Sequence, residues 1–331
     1  MVKFRRFMTR ALLAGFIAFL IVPFLIPEPN SGTLTNVEAA GSNATFVKVN
    51  DLDVHVKVEP YQGNCQCKAP LILLMHGFGA STFSWRNVIQ PLSQYGEVVA
   101  YDRPGFGFTE RPDTWQGVNP YGFEGNFELI DGLIAKFGQG RKVVLVGHSA
   151  GGQLAAEYAR LNQTKVDGLV LVDAAIFTTG GGPDGFDWVY QIPQIKRLGP
   201  VLVSSIAQTG DDLLRRSFYD QDNVTDEVLS GYHSPLKVKG WEKAFWNFAT
   251  APRGNKLVEN LADIKTPTII ITGVSDTVVP ATDAPKLSEA LTNSTLEVVQ
   301  RATHLPQEEQ PARFMAAIRS AWPKVFATIN H

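Results

Sequence analysis

The stretch from Val143 to Gly152 reads V-V-L-V-G-H-S-A-G-G and sets one serine between closely spaced glycines. In a G-x-S-x-G spacing the hydroxyl sits at the apex of a strained turn, and glycines are needed at its flanks because side chains there would strike the neighbouring strand or helix. A serine hydroxyl is a poor nucleophile at neutral pH. It attacks a carbonyl only when a neutral imidazole takes its proton and a carboxylate fixes the tautomer of that imidazole. The chemistry within reach of Ser149 is therefore acyl transfer. The same turn places the Ala150 N–H in the first turn of the next helix, where unpaired amides and the helix dipole favour developing negative charge. The five residues alone would also fit a glycine-rich turn whose serine caps a helix. The elements on either side separate these readings.

Lys142 to Val146 is a run of aliphatic and β-branched residues that predicts a buried strand, and Gln153 to Arg160 carries a helical pattern. The predicted order is strand, tight turn, helix. Phe46–Val49 and Leu52–Val58 alternate around Asn50-Asp51 as a hairpin does, which makes His55 a structural residue. Leu71–Met75 is a further buried strand, followed by His76-Gly77-Phe78-Gly79 and a helix over Ser81–Leu92. Glu97–Tyr101 is a strand leading into Asp102-Arg103-Pro104-Gly105-Phe106-Gly107, a turn in which Asp102 and Arg103 are expected to pair with each other or with local backbone. Tyr121–Phe137 is the helix before the serine's strand. Strands follow at Gly168–Val172, ending on Asp173, at Thr268–Thr272 and at Thr295–Val299.

Taken together, these motifs resemble the α/β-hydrolase superfamily, in the branch of small esterases, epoxide hydrolase-like proteins and meta-cleavage-product hydrolases. The likeness runs from about Phe46 to the C-terminal helix in the expected chain order. It implies an α/β fold: a mostly parallel eight-stranded sheet flanked by helices, with a helical cap insertion. The core would be 41–175 and 256–331, and the cap 176–255. The resemblance assigns the second oxyanion donor to the backbone N–H of Phe78, beside that of Ala150. It makes Asp276, in G-V-S-D-T-V-V-P, the triad carboxylate, and it places His304 of A-T-H-L-P in the loop of the catalytic base. Asp173 is the runner-up for the acid, because some relatives take it from that earlier strand. Elimination also favours His304. His55 lies in an early strand, His76 in the oxyanion loop, His233 in the cap, and His331 is the last residue. His148 adjoins Ser149 but should leave the turn in another direction. Glu308 and Glu309 read as dipole-matched residues opening the terminal helix.

The implied reaction is attack by Ser149 on the carbonyl of a small or medium apolar ester, an acyl-enzyme, and its release by water activated through His304. No metal or organic cofactor is required. Serine rather than aspartate at the apex argues against epoxide hydrolase or dehalogenase chemistry. Hydrolysis of carbon–carbon bonds and cofactor-free perhydrolase activity use the same triad and stay open, although C–C hydrolases commonly carry methionine where this chain has Ala150. A non-catalytic ligand-binding protein on the same fold is the alternative from another class. The aromatics of the expected cap, among them Trp188, Trp241, Phe245 and Phe248, either line a substrate pocket or pack the cap onto the core.

The chain has 331 residues, 44% hydrophobic, and a net charge of −2, enough for one large α/β domain and without the basic surface that nucleic acid requires. Gly180-Gly181-Gly182-Pro183 could be a hinge and lacks the lysine and hydroxyl residue of a phosphate-binding loop. Cys65 and Cys67, one residue apart in a predicted surface loop, suit exposed or weakly bridged thiols better than a metal or redox site. Lys3, Arg5, Arg6 and Arg10 precede an uncharged apolar run from Ala11 to Ile26, which is an export or anchor signal with the catalytic domain outside the cytoplasm. Pro23 and the shortness of the run favour a signal peptide, with Val37-Glu38-Ala39 as a cleavage site. A membrane tether through residues 11–27 stays equally open. Pro27–Ser42 reads as a linker without structure of its own.

Overall fold

A computed structural model of the protein describes residues 2–64, 68–178, 187–252, 256–327 and 329. Cys65, Cys67, the Gly180–Pro183 cluster and Phe186 lie outside the described residues. Eight strands form one sheet: β1 (Thr45–Val49), β2 (Leu52–Glu59), β3 (Leu71–Met75), β4 (Glu97–Tyr101), β5 (Val143–His148), β6 (Gly168–Val172), β7 (Thr268–Gly273) and β8 (Ser294–Val299). Their order is β1-β2-β4-β3-β5-β6-β7-β8. β2 is antiparallel to β1 and β4, and all other pairings are parallel. At the β1–β2 turn Asn50 and Asp51 take φ of 47° and 64°, the left-handed values that a two-residue hairpin requires.

The parallel strands are apolar along their whole length because both faces of the sheet are covered. In β3 every residue is buried, with Leu71, Leu73 and Met75 on one face and Ile72 and Leu74 on the other. The first face meets Leu129 and Leu133 of α4 (Phe123–Leu133) and Leu154 and Tyr158 of α5 (Ala150–Leu161). The second meets Phe314, Ile318 and Trp322 of α11 (Pro311–Val325), together with Trp85 and Leu92. The expected helix over Ser81–Leu92 is instead a 3₁₀ turn at Thr82–Trp85 and a short α3 (Ile89–Leu92). Pro91 has no N–H to donate and would crowd the carbonyl four residues back, so a continuous helix does not form.

Between β6 and β7 the described residues form α6 (Pro193–Arg216), α7 (Asp226–His233) and α8 (Trp241–Ala249), with no strand among them. α9 (Asp283–Ala290) and the short α10 (Pro306–Glu309) complete the core.

The N-terminus departs from expectation. α1 (Val2–Leu25) passes through Pro23, which falls in its last turn where little helix remains to break. Within it Phe4–Leu25 is long and apolar enough to cross a membrane, and most of it is exposed. The predicted linker is ordered. α2 (Asn36–Ala40) is capped by Thr35, whose side chain accepts from the Glu38 N–H while the Glu38 carboxylate accepts from the Thr35 N–H at 2.8 Å. Leu34 pairs with Val238, and the Ser31 hydroxyl donates to Glu242 at 2.6 Å while accepting the Trp241 indole N–H at 2.7 Å.

Candidate active site

β5 ends at His148 and α5 begins at Ala150, so Ser149 is the entire connection between them. It sits at φ 52° and ψ −120°, a strained conformation for any residue with a side chain. Ser149 N–H donates to the Val172 carbonyl at 2.9 Å, while its own carbonyl accepts from Gly152, Gln153 and Ala175. The glycines are obligatory: a Cβ on Gly147 would lie 2.4 Å from the Gly151 carbonyl oxygen, and one on Gly151 would lie 2.4 Å from that of Met75. Strand, elbow and helix thus lock one another.

His304 follows β8, and its Nδ1 lies 2.8 Å from Oδ2 of Asp276, which follows β7. Oδ1 of Asp276 accepts the N–H groups of Val278 and Val279 at 2.8 and 3.1 Å. The carboxylate is therefore anchored on one oxygen and offers the other to the imidazole. With Nδ1–H committed to Asp276, Nε2 of His304 is left as the proton acceptor. Ser149 and His304 line one cavity of about 200 Å³, whose remaining wall is mostly apolar and includes Phe78, Leu214, Trp241, Phe245 and Leu305.

Phe78 is on that wall with 44% of its surface exposed, in edge contact with Phe106 and Phe245. Ala150 borders a smaller recess alongside, shared with Arg103, Tyr121 and Phe248. Among the described residues neither the Phe78 nor the Ala150 backbone N–H has a hydrogen-bond acceptor. Two unpaired amides flanking a serine are what a developing oxyanion needs.

The buried imidazoles around the site are held neutral. Burial, then the charge of Arg103, lowers His76 to about 3, and its bonds agree: Nδ1 meets the Gly77 carbonyl at 2.8 Å while Nε2 accepts the Arg103 N–H at 3.1 Å. Burial, then His304, drives His148 well below the usual imidazole range, and its Nε2–H donates to the His304 carbonyl at 2.7 Å. His148 therefore supports the loop of His304.

Three expectations are made more definite by the structure. Asp102 and Arg103 take the backbone alternative, with a further partner for Asp102: it accepts the N–H groups of Thr82 and Phe108 and lies 2.7 Å from Nδ1 of His55, while Arg103 donates to the Gly77 carbonyl. Burial pushes the Asp102 carboxyl up, but the hydrogen bond and charge of His55, with His76 and the Phe108 N–H, outweigh it and leave a net lowering. Glu308 and Glu309 do more than open a helix. Glu308 is buried against Arg86 and the Tyr232 hydroxyl, and Glu309 accepts the N–H groups of Thr303 and Tyr219 at 2.5 Å each. Both join the His304 loop to the helices between β6 and β7. Of the aromatics between β6 and β7, Tyr232, Trp241 and Phe245 line the cavity, whereas Trp188 is exposed and Trp246 packs on Tyr190.

Sequence reasoning missed the pair formed by His233 and Asp211, 2.6 Å apart on the cavity wall, and it treated Asp173 and Asp276 as alternatives. No local pattern marks such contacts between distant segments.

The family model described as alpha/beta hydrolase matches residues 72–317. A 2-hydroxy-6-oxo-2,4-heptadienoate hydrolase of Pseudomonas putida is 30% identical over 259 residues, 75% of this chain and 87% of that protein. A monoacylglycerol lipase of Mus musculus is 26% identical over 278 residues, 79% of this chain and 78% of that protein. Among solved structures, a meta-cleavage product hydrolase of Pseudomonas fluorescens superposes with a TM-score of 0.62 at 24% identity, covering 86% of this chain and 98% of that one.

Proposed function

The chain belongs to the alpha/beta hydrolase family, and within it we propose a serine hydrolase that cleaves carboxylic esters of small or medium apolar substrates through an acyl-enzyme. One observation carries this reading: Ser149 and His304 share a largely apolar cavity, and Asp276 holds the far nitrogen of His304. His304 Nε2 takes the Ser149 proton as Oγ attacks the ester carbonyl. The N–H groups of Phe78 and Ala150 receive the oxyanion. His304 then protonates the leaving alcohol, and water drawn through the same imidazole releases the acid. Residues 176–255 act as a cap over the acyl site.

Turnover of p-nitrophenyl esters from acetate to palmitate, beside Ser149→Ala and a fluorophosphonate label, tests the proposal. Loss of turnover by up to about 10⁶-fold in the variant is expected. Wild type that labels at Ser149 yet hydrolyses no ester would exclude esterase activity, and absence of labelling would favour a binding protein.

A second reading, C–C bond hydrolysis, is favoured by the relative from Pseudomonas putida. Its named substrate is a carboxylate, which calls for a cationic partner in a dry site. Among the described residues the cavity wall carries neither lysine nor arginine, so a neutral ester ranks first.

The N-terminal segment fits a retained anchor, with the catalytic domain outside the cytoplasm. Removal at Ala39 would take away Ser31, whose N–H and hydroxyl both donate to the fully buried Glu242. A buried carboxylate stripped of its donors is costly.

A further inference from the structure

Asp173 follows β6 at φ 40°, a left-handed conformation that a non-glycine residue keeps only where its surroundings require it. Its side chain is buried beside the His304–Asp276 pair. Oδ1 accepts the Thr272 hydroxyl at 2.8 Å and the Gly273 N–H at 3.0 Å. Oδ2 is buried and has no donor, and the Asp276 side chain lies beside this carboxyl: Gly273, whose N–H Asp173 holds, accepts the Asp276 N–H on its carbonyl at 3.2 Å. Asp276 has no proton to offer, since its two oxygens already accept from Val278, Val279 and His304. Two ionised carboxylates, both acceptor-only, would therefore face each other away from water, where their repulsion is strong.

A single proton resolves the conflict. Asp276 receives three donors, one of them the imidazole that becomes cationic during turnover, and is the better anion. Asp173 receives two. Burial, then the charge of Asp276, pushes the Asp173 carboxyl well above the ordinary carboxylate range. Other ionisable groups near the pair are His304, His148 with its ring 4.8 Å from that of His304, and Glu309, whose carboxylate feels Asp276.

We propose that Asp173 is a positioning residue that stays protonated at neutral pH and donates Oδ2–H to the Asp276 carboxylate, holding that carboxylate toward Nδ1 of His304. The proton stays on Asp173 throughout turnover; only the Ser149 proton moves. The proposal rests on Asp276 as the acid of the triad.

The test compares full-length wild type, Asp173→Asn, Asp173→Ala and Asp276→Asn. In the infrared difference spectrum at neutral pH, wild type minus Asp173→Asn should show the C=O stretch of a protonated carboxyl group. Asp173→Asn, whose amide N–H can replace the carboxyl O–H, should keep kcat within about tenfold, while Asp173→Ala loses about 10–100-fold in kcat at little changed KM, the worth of one hydrogen bond to a charged group. Absence of the protonated band overturns the proposal, as does Asp173→Asn falling as low as Asp173→Ala. Should Asp276→Asn stay active while Asp173→Asn fails, the assignment of the acid falls with it. The infrared band needs only folded Asp173→Asn, so poor folding of the alanine variant leaves the test intact.

Discussion

Nδ1 of His304 lies 2.8 Å from Oδ2 of Asp276, a contact between two loops that leave neighbouring strands β7 and β8. In the proposed mechanism the carboxylate keeps Nδ1 protonated and so leaves Nε2 free to act as base. Asp276→Asn should preserve the fold but hold the imidazole in the wrong tautomer. Ester turnover is expected to fall about 10⁴-fold with little change in KM, as read from steady-state kinetics beside circular dichroism.

Gly151→Ala tests the elbow without touching a reacting group. The added Cβ would meet the carbonyl oxygens of Met75 and His76 at 2.4 and 2.6 Å, and rigid strand backbone cannot move aside cheaply. A loss of about 1–3 kcal/mol in a denaturant melt is expected, together with reduced turnover because Ser149 shifts with the strand.

Acid should begin to act on stability through the buried imidazoles before most carboxylates titrate. In the unfolded chain His76 binds its proton near 6.5, whereas the folded protein resists it down to about 3. The unfolded state thus holds the extra proton between those values, so this stability is whole above about 6.5 and is lost as pH falls toward 3. His148 acts in the same direction. Asp102, lowered below its model-compound value of 3.8, adds stability that disappears only in stronger acid. Asp173, Glu308 and Glu309 act oppositely over the same range, because burial raises their carboxyls. The test is therefore a difference, the urea midpoint of His76→Gln falling less, or rising more, than that of wild type as pH goes from 7 to 4, by up to about 1.4 kcal/mol per pH unit.

Ser31→Ala probes the tie between the N-terminal segment and α8. It removes the acceptor of the Trp241 indole and one of the two donors to buried Glu242. A loss of about 1–3 kcal/mol in thermal or urea melts is expected. In cells the full-length chain should sediment with membranes and keep its 36.3 kDa. A mature N-terminus at Ala40 would refute retention.

Glu309→Ala should loosen the His304 loop from the segment above it, since both the Thr303 and Tyr219 N–H groups lose their acceptor. Each unpaired buried amide costs about 1–3 kcal/mol. Faster amide exchange at both residues, measured by hydrogen–deuterium mass spectrometry, would report the loosening.

The sheet was legible in the sequence because burial on both faces leaves unbroken apolar runs: Leu71–Met75 and Glu97–Tyr101 match their strands to the residue. Helix limits were less legible. Ser81–Leu92 reads as one helix, whereas the chain forms a 3₁₀ turn capped by Ser81 and a separate short α3 that contains Pro91.

Sequence by itself determined the elbow and the chemistry it permits, because the strain at Ser149 and the room left by Gly147 and Gly151 are local demands of one turn. Only the tertiary structure decided what surrounds it. Asp102 turned to His55, Glu308 to Arg86 and Tyr232, Ser31 to Glu242, and Asp173 came to face Asp276 rather than compete with it. A buried polar group takes whichever partner the packed chain brings within reach, and that partner is set by strand order and helix docking across as many as 222 residues, where no spacing rule applies.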